Sequence, residues 1–368
     1  MARSTAAEAR DPALDLSTAI ERYRDHWVGH VIVLGDHLSR RLIERLEQEC
    51  GYARIRPSLG PFISLVWREP RPLVELAGQL AISRQACSKI ARQAEEDGYV
   101  ERVQAQKGDR AQSVRLTKHG SRLAEDSVRL VLEEQATFEA WVGGERLRRF
   151  NAATSAVFRA LGLEAQTDAG LGKKARRSIG ILPVVADRIE LELRERTRAK
   201  GHEGLQLSHA RLIGLIGDGA RSVSEMARHQ GVSRQATGAT VRSLESLAYV
   251  RRDSDEHDAR AIRVRLSERG EALVLDTVTA LEELGDEFRR AIGPRRFDDF
   301  ANIAAELRGA LAAEAELFET GDRRSRRTGP IDAEKNAPRD LELQAIAALL
   351  AERLGEKAAN RLGRMLCA

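Results

Sequence analysis

The stretch that decides the fold is SRQATGATVRSLESLAYV at residues 233–250, and a related stretch, SRQACSKIARQAEEDGYV, occupies residues 83–100. The two begin 150 residues apart. When the chain is aligned against itself at this offset, residues 58–120 match residues 208–270 without a gap, and 21 of the 63 positions are identical. An ungapped match of this length indicates a duplicated structural unit, and its period is too long for a solenoid. The sequence therefore predicts two similar units in one chain.

Composition limits the class of protein. Charged residues make up 32% of the 368 residues and aromatic residues only 4%, which favours helical surfaces over sheets. The net charge is only +4, but 60 Lys and Arg residues leave room for local basic patches that would bind a polyanion. Three scattered cysteines are too few for a disulfide framework, and no apolar run is long enough to span a membrane. We therefore expect a cytoplasmic protein.

Composition shifts along the chain predict the domain boundaries. Gly-containing, charged or Pro-bearing stretches separate the two units from each other and from a final amphipathic segment. The predicted division is a disordered N-terminus at 1–16, a first unit at 17–162, a linker at 163–177, a second unit at 178–320, a basic flexible linker at 321–338 and a C-terminal amphipathic helix at 339–368.

Start and stop signals in the second unit predict the order of its elements. Ser208 is expected to cap a short helix, and Ser222 with Glu225 forms a capping box at the start of the next. Ser233 caps a longer helix. A strand beginning at Tyr249 and an alternating return strand, Ile262–Leu266, then predict a β-hairpin. The first unit follows the same order, with Pro72 at the position of Ser222.

Three helices followed by a hairpin are typical of a winged helix-turn-helix. The short connection between the second and third helices fixes them at a steep angle, so the third helix projects from the surface. Its first turn can enter the major groove of DNA, while the hairpin, or wing, reaches the minor groove or the phosphates. The predicted fold class is mainly α, with two such winged units.

Each unit resembles the DNA-binding core of the MarR family of bacterial transcription factors. In the second unit the matching motifs are the helix that begins SRQA at 233, the wing residues DAR at 258–260 and VRLSERG at 264–270. In the first unit they are the helix at 83, GDR at 108–110 and VRLTKHG at 114–120. The first unit departs from the pattern at two positions. Gly108 stands where the second unit has Asp258, with Asp109 adjacent, and Ala94 stands where the second unit has Leu244.

The resemblance implies an arrangement as well as a fold. Family members are obligate dimers whose terminal helices interlock, so we expect helices in 18–48, 123–161, 184–200 and 271–318 to join the two units as a single-chain pseudo-dimer. Whether two such chains associate with each other is left open. The residues expected to contact DNA are Ser83, Arg84, Gln85, Ser88, Lys89, Arg92 and Arg110 in the first unit, and Ser233, Arg234, Gln235, Thr237, Gly238, Arg242 and Arg260 in the second, with Asp109 and Asp258 supporting the wings.

These features predict a sequence-specific regulator of transcription, a repressor, whose partner is double-stranded DNA carrying an imperfect palindrome. The resemblance implies release by a small molecule bound between the interlocking helices and a winged core, but the sequence does not identify the pocket. The alternative is an architectural, chromosome-organising protein with low sequence specificity. No cofactor and no enzymatic activity are expected, because no nucleophile elbow or phosphate loop is found.

A metal- or redox-responsive regulator is the weaker alternative. His26, His30 and His37 fall near one face of a predicted helix, where imidazoles one turn apart could share Zn²⁺. The simpler interpretation is three ordinary histidines on an interface helix. Cys50 and Cys87 lack an obvious neighbour in the sequence that would lower the pKa of a thiol. The prediction is therefore that no metal is bound.

Overall fold

The fold was obtained as a computed structural model, which describes residues 14–80, 82–104, 112–163, 178–217, 219–230, 232–254 and 262–327. Over these residues the chain is mainly helical with two small antiparallel sheets, as predicted, and the arrangement is consistent with a winged-helix fold. None of the helices in these ranges is long and apolar enough to cross a membrane. The predicted linker residues 164–177 and the C-terminal segment 339–368 lie outside the described residues.

The elements of the first unit match the predicted order, with one additional strand. They are α1 (Leu16–Arg24), α2 (Trp27–Gln48), α3 (Leu59–Val66), β1 (Arg71–Pro72), α4 (Leu73–Gln79), α5 (Arg84–Glu96), β2 (Val100–Gln104), β3 (Gln112–Leu116), α6 (Lys118–Val142) and α7 (Gly144–Ala160). The long helix expected over 18–48 is divided into α1 and α2. Asp15 caps the first of these helices, and His26 caps the second.

The second unit repeats this order from α2 onward. After a 3-10 helix at Ile179–Ile181 come α8 (Leu182–Ala199), α9 (Leu207–Ile216), β4 (Arg221–Ser222), α10 (Val223–Gln230), α11 (Arg234–Ser246), β5 (Val250–Ser254), β6 (Ile262–Leu266), α12 (Glu268–Ile292) and α13 (Pro294–Arg327). The last helix continues to Arg327, so the first part of the stretch expected to be a flexible linker, 321–327, is helical.

The capping predictions can be checked bond by bond. The Ser222 hydroxyl accepts from the Glu225 amide at 3.2 Å, and the Glu225 carboxylate accepts from the Ser222 amide at 2.8 Å, which confirms the capping box. The prediction for Ser208 is wrong. Gln206 is the cap of α9, and it forms a reciprocal pair with His209. A glutamine is not a preferred cap in sequence statistics, so the pattern favoured the serine two residues later.

Each sheet has three strands where the sequence predicted a two-stranded hairpin. The strand orders are β1-β3-β2 and β4-β6-β5, and all pairs are antiparallel. The additional strands, β1 and β4, contain only two residues each; Arg71 pairs with Val114, and Arg221 pairs with Val264. Two residues are too few to give an alternating pattern, which is why the sequence analysis missed these strands.

The buried apolar side chains form three clusters. One cluster fills the winged part of the first unit and includes Phe62, Leu76 and Tyr99. A second fills the winged part of the second unit and includes Leu244 and Tyr249. The third cluster is shared by both units and joins α2, α6 and α7 to α8, α12 and α13. The long helices of the two units therefore interlock around one apolar core.

Helix α1 belongs to the first unit by sequence but packs on the second. Its buried residues Ala19, Ile20 and Tyr23 are part of the second winged core. The Arg24 guanidinium Nε donates to the Gly214 carbonyl at 2.7 Å, near the end of α9. That helix ends at Gly217, whose φ of +60° is unfavourable for other residues and whose Cα lies against the Arg24 side chain. Helix α1 thus ties the two units together.

Candidate nucleic-acid interface

Helices α5 and α11 have the same N-terminal cap and the same length in the two units. The Ser83 hydroxyl accepts from the Ala86 amide at 3.1 Å, and the Ser233 hydroxyl accepts from the Ala236 amide at 3.2 Å. Each cap fixes the direction of the first helical turn, because it satisfies an amide that has no partner within the helix. Both helices are thirteen residues long and end one residue before the same kind of tight turn. The motif SRQA therefore presents the same local structure twice.

The outer faces of these two helices are basic. Among the predicted contact residues the exposed ones are the cap Ser83 with Arg84, Gln85, Lys89 and Arg92 on α5, and the cap Ser233 with Arg234, Gln235 and Arg242 on α11. Within the described part of the chain, no ion pair involves any of the five cations in this set. Most other arginines of the two units do pair with a carboxylate. Unpaired cations at the tip of a projecting helix suit the phosphates and the guanine edges of DNA.

The prediction for Thr237 is wrong as a DNA contact. Its side chain is only 1% exposed, because the fourth position of α11 faces the interior of the unit. The equivalent residue in the first unit, Cys87, is also buried, and its thiol lies 3.6 Å from the Leu73 carbonyl oxygen. Ser88 and Gly238 follow at the next position and are half-buried. Cys87 and Thr237 are therefore unavailable to a partner, whereas the half-buried Ser88 and Gly238 remain partly accessible.

Each wing is tied to its projecting helix by an equivalent ion pair. The Arg102 guanidinium on β2 contacts Glu95 of α5 at 2.9 Å, and Arg252 on β5 contacts Glu245 of α11 at 3.1 Å. The two pairs are again 150 residues apart, and the sequence analysis did not single them out. The predicted wing-tip residues Arg110, Asp109, Arg260 and Asp258 lie outside the described residues, so their contacts stay predictions.

A large cavity lies behind α11. Its volume is 1070 Å³, and it lies between the interlocking helices α1, α2 and α8 and the winged core formed by α9, α10 and α11. Thr237 lines the cavity, and within the described residues its hydroxyl oxygen has no hydrogen-bond partner. The charged residues of the lining are mostly basic: Arg24, Arg194, Arg211, Arg221 and Arg308, with Glu190 as the carboxylate.

Two of the three predicted histidines contribute to one wall of this cavity. His26 caps α2 by accepting from the Gly29 amide at 3.0 Å, and His30 lies 3.3 Å from the Asp25 carboxylate. His37 does not line the cavity walls with them. Across the described ranges there is no group of three or more histidine, cysteine or carboxylate side chains arranged to hold a metal ion.

The cap made by His26 has a pH dependence that can be measured. Burial, together with the nearby His30 and Arg308 and against the opposing Asp25 carboxylate, lowers the pKa of this imidazole to about 4. Between pH 6.5 and 4 the unfolded chain therefore binds a proton at His26 that the folded chain does not. We expect the free energy of unfolding to fall through this window as the pH falls, by up to about 1.4 kcal/mol per pH unit from this residue.

His26→Asn is the variant that isolates this effect, because asparagine keeps a side-chain cap but does not titrate. Urea denaturation of both proteins at several pH values between 4 and 7 gives the free energy of unfolding as a function of pH, and its slope should be shallower for the variant. Equal slopes for the two proteins would show that the proton is taken up at another residue.

The two cysteines have different surroundings. Burial raises the pKa of the Cys87 thiol, so the reactive thiolate is disfavoured there. Cys50 is half-buried, and its sulfur lies 3.3 Å from the Arg129 guanidinium. Arg129 also pairs with the Asp126 and Glu133 carboxylates, which offset its positive charge. The Arg129 contact could not be predicted from the sequence, because the two residues are 79 positions apart.

The chain is similar to a known protein family and to solved structures. No curated protein matches the chain. The transcriptional regulator Tm0710 from Thermotoga maritima, a solved structure, is 20% identical to this chain over a match that covers 37% of this chain and 94% of that chain, with a TM-score of 0.29. Residues 203–261 match the MarR family. This segment, which includes α9 to α11 and β5, is thus similar to the family that the sequence motifs resembled.

Proposed function

We propose that the protein is a sequence-specific, double-stranded DNA-binding regulator of transcription, acting as a repressor in the cytoplasm. The observation that carries the proposal is the pair of identically capped helices, α5 and α11, each of which exposes two arginines at equivalent positions that have no ion-pair partner among the described residues. The MarR-family match of residues 203–261 supports the same function for the second unit. No catalytic role is proposed.

The proposal includes the assembly: one chain acts as a pseudo-dimer. The supporting observations are the core shared by both units and the stacking of Phe150 on Phe300, residues that are 150 positions apart. A dimeric regulator places its two recognition helices roughly 34 Å apart, one turn of DNA. Fusion makes the pairing intramolecular, at an effective concentration on the order of millimolar. It also allows the two helices to differ.

The two outer faces do differ, so the DNA site should be an imperfect palindrome. Lys89 of the first unit corresponds to Ala239 of the second, and Ser88 corresponds to Gly238. The first helix therefore carries an additional cation and an additional hydroxyl. Because base edges are read by side chains at such positions, the two half-sites should not be identical.

Selection of bound sequences from a random pool, followed by footprinting, tests the proposal. We expect two related but unequal half-sites whose centres are separated by about one helical turn, 10 base pairs. Affinity for the selected site should exceed affinity for bulk DNA by at least about 1,000-fold at physiological salt. A ratio near one would instead support the alternative, an architectural protein with little sequence preference.

We further propose that a small molecule bound in the 1070 Å³ cavity controls DNA binding. The cavity is larger than a drug-sized ligand needs, and it touches α11 through Thr237. Three of the five arginines in its lining pair with carboxylates, but Arg24 and Arg221 have no ion pair among the described residues, and they favour a molecule that is both apolar and anionic. Such a ligand would couple the cavity directly to a DNA-contacting helix. Screening anionic metabolites for release of the protein from its selected DNA site tests this part.

Thr237→Val offers a prediction for the same cavity. Valine has the shape of threonine and removes a buried hydroxyl that has no partner among the described residues. We expect the free energy of unfolding to be unchanged or to rise by about 1 kcal/mol. Binding of a releasing ligand should weaken about five-fold or more, since a hydrogen bond is lost. Denaturation and calorimetric titration measure the two effects. Equal ligand affinities would show that Thr237 does not contact the ligand.

A further inference from the structure

The two units meet through equivalent residues where α7 packs against α13. Residues 150 positions apart are equivalent in the two units. The rings of Phe150 and Phe300 stack with their centroids 5.8 Å apart and their planes 9° apart, and both side chains are fully buried. Next to them, the Arg149 Nε donates to Asp299 Oδ2 at 3.1 Å, and Arg149 Nη2 donates to the other oxygen of the same carboxylate.

Contacts between equivalent residues reveal which pairings the surface allows. In an assembly with twofold symmetry, a residue contacts its own equivalent only next to the axis. Two first units paired in this way would therefore bring Arg149 against Arg149, and two second units would bring Asp299 against Asp299. Only the pairing of unlike units places opposite charges in contact. Repulsion of this kind is how protein surfaces exclude incorrect partners.

A second ion pair disfavours the pairing of two first units. Arg146 pairs with Glu306 across the same helices. The residue equivalent to Glu306 in the first unit is Ala156, so two first units would form no such ion pair, whereas the chain forms one. Two second units would form it twice, because Arg296 is equivalent to Arg146. A further difference between the units acts against the pairing of two second units.

Trp27 provides this difference. Its ring lies edge-on to Phe288 and Phe297 of the second unit, with centroids 5.8 Å and 5.2 Å apart. At the same 150-residue offset the sequence of the second unit has Arg177, which lies outside the described residues. Two second units would have no tryptophan at this offset and would also oppose two Asp299 carboxylates. Each like pairing loses one of these two interactions, but only the contact between like charges at positions 149 and 299 opposes both like pairings.

We infer that the α7–α13 surface is a pairing surface that accepts only the unlike unit. Its partner is the other half of the same chain, and Arg149 and Asp299 are the residues that determine the choice. The inference rests on the proposed pseudo-dimer. Its consequence for function is that each assembly carries one α5 and one α11, so it cannot rearrange into assemblies that read two identical half-sites.

The experiment uses the folded full-length chain with a protease site inserted within residues 164–177. After cleavage the two halves are unfolded in urea, refolded together and separated by native mass spectrometry. The wild-type protein should give mainly unlike pairs. In Arg149→Asp all three pairings oppose two aspartates, so the ratio of like to unlike pairs should rise about five-fold or more, equivalent to about 1 kcal/mol. Arg149→Asp combined with Asp299→Arg should restore the wild-type ratio.

The stability of the uncleaved chain is a second measurement, and it does not depend on refolding of separate halves. Each single reversal should lower the urea midpoint of the intact chain, and the double reversal should recover it. An unchanged pairing ratio in Arg149→Asp, or a double reversal that is no better than either single one, would overturn the inference.

DNA binding by the intact wild-type chain separates this inference from the proposed function. Tight binding to a site with two half-sites, together with random pairing of the halves, would reject the pairing surface alone. Loss of sequence-specific binding, together with strict unlike pairing, would reject the proposed function and leave the pairing surface intact.

Discussion

Gly120→Ala and Gly270→Ala are each expected to unfold or severely destabilise one winged unit. These equivalent glycines lie in the first turns of α6 and α12, where the helix packs directly on the start of a wing strand. A methyl group at Gly120 would lie 1.9 Å from the Tyr99 carbonyl oxygen, and one at Gly270 would lie 2.1 Å from the Tyr249 carbonyl oxygen. Contacts that short are impossible, so the backbone must move.

The surrounding structure leaves little room for such a movement. Tyr99 and Tyr249 are almost fully buried, at 1% and 0% exposure. Each carbonyl oxygen also accepts a backbone hydrogen bond, from Thr117 and from Ser267. Overpacking against fixed backbone costs about 3 kcal/mol or more, which is a large part of the stability of a domain of this size. Urea denaturation followed by circular dichroism measures the loss.

Gly78→Ala is the matched control within the winged part of the first unit. Gly78 is an exposed residue of α4, and a methyl group there would have no neighbour within 4 Å. Alanine favours a helix over glycine by about 1 kcal/mol, so this variant should be slightly more stable than the wild-type protein. If Gly120→Ala and Gly270→Ala were as stable as this control, the close packing of helix on strand would be incorrect.

Replacing Arg84 and Arg234 together with alanine is expected to abolish specific DNA binding at physiological salt. Both side chains are exposed in the first turn of a projecting helix, and among the described residues neither has a carboxylate partner. An arginine that contacts a base or phosphate contributes about 1–3 kcal/mol, so each single variant should lose about 5- to 150-fold in affinity. Two distant sites should combine multiplicatively. Titration of the selected DNA site at several salt concentrations measures both affinity and salt dependence.

Arg290→Ala is the control for charge. Arg290 is exposed near the end of α12, about 30 Å along that helix from the end that contacts the wing. The Arg290→Ala substitution changes the net charge by the same amount as either single variant, but the affinity for DNA should stay within about two-fold of the wild-type value. An Arg84 and Arg234 double variant with wild-type affinity would show that α5 and α11 are not the DNA-contacting helices.

Local sequence signals predicted the winged units well. The cap at Ser233, the capping box at Ser222 and Glu225, and the return strand Ile262–Leu266 depend on residues a few positions apart, and all three are confirmed. The alignment of the chain with itself also showed that the glycines at 120 and 270 are equivalent, but it did not show why glycine is needed there. Only the packing of helix against strand shows that a side chain would collide there.

The remaining features depend on contacts between distant parts of the chain. The sequence predicted that Thr237 is a surface residue of α11, yet packing buries it beside the cavity. Helix α1 was expected among the interlocking helices, but the sequence could not show that Tyr23 and Arg24 dock on the second winged core. The cavity itself has walls from eight helices, and no local pattern specifies such a space.

By itself the sequence determined the order of the main helices and of the two wing strands in each unit, and that a related segment occurs twice, because caps, periodicity and the 150-residue offset are properties of the chain alone. The tertiary structure decided which side chains are in contact: Arg149 with Asp299, Trp27 with phenylalanines, and beside a cavity a hydroxyl that has no partner among the described residues. These contacts join residues far apart in the chain, and they form only when two apolar faces have packed into one core.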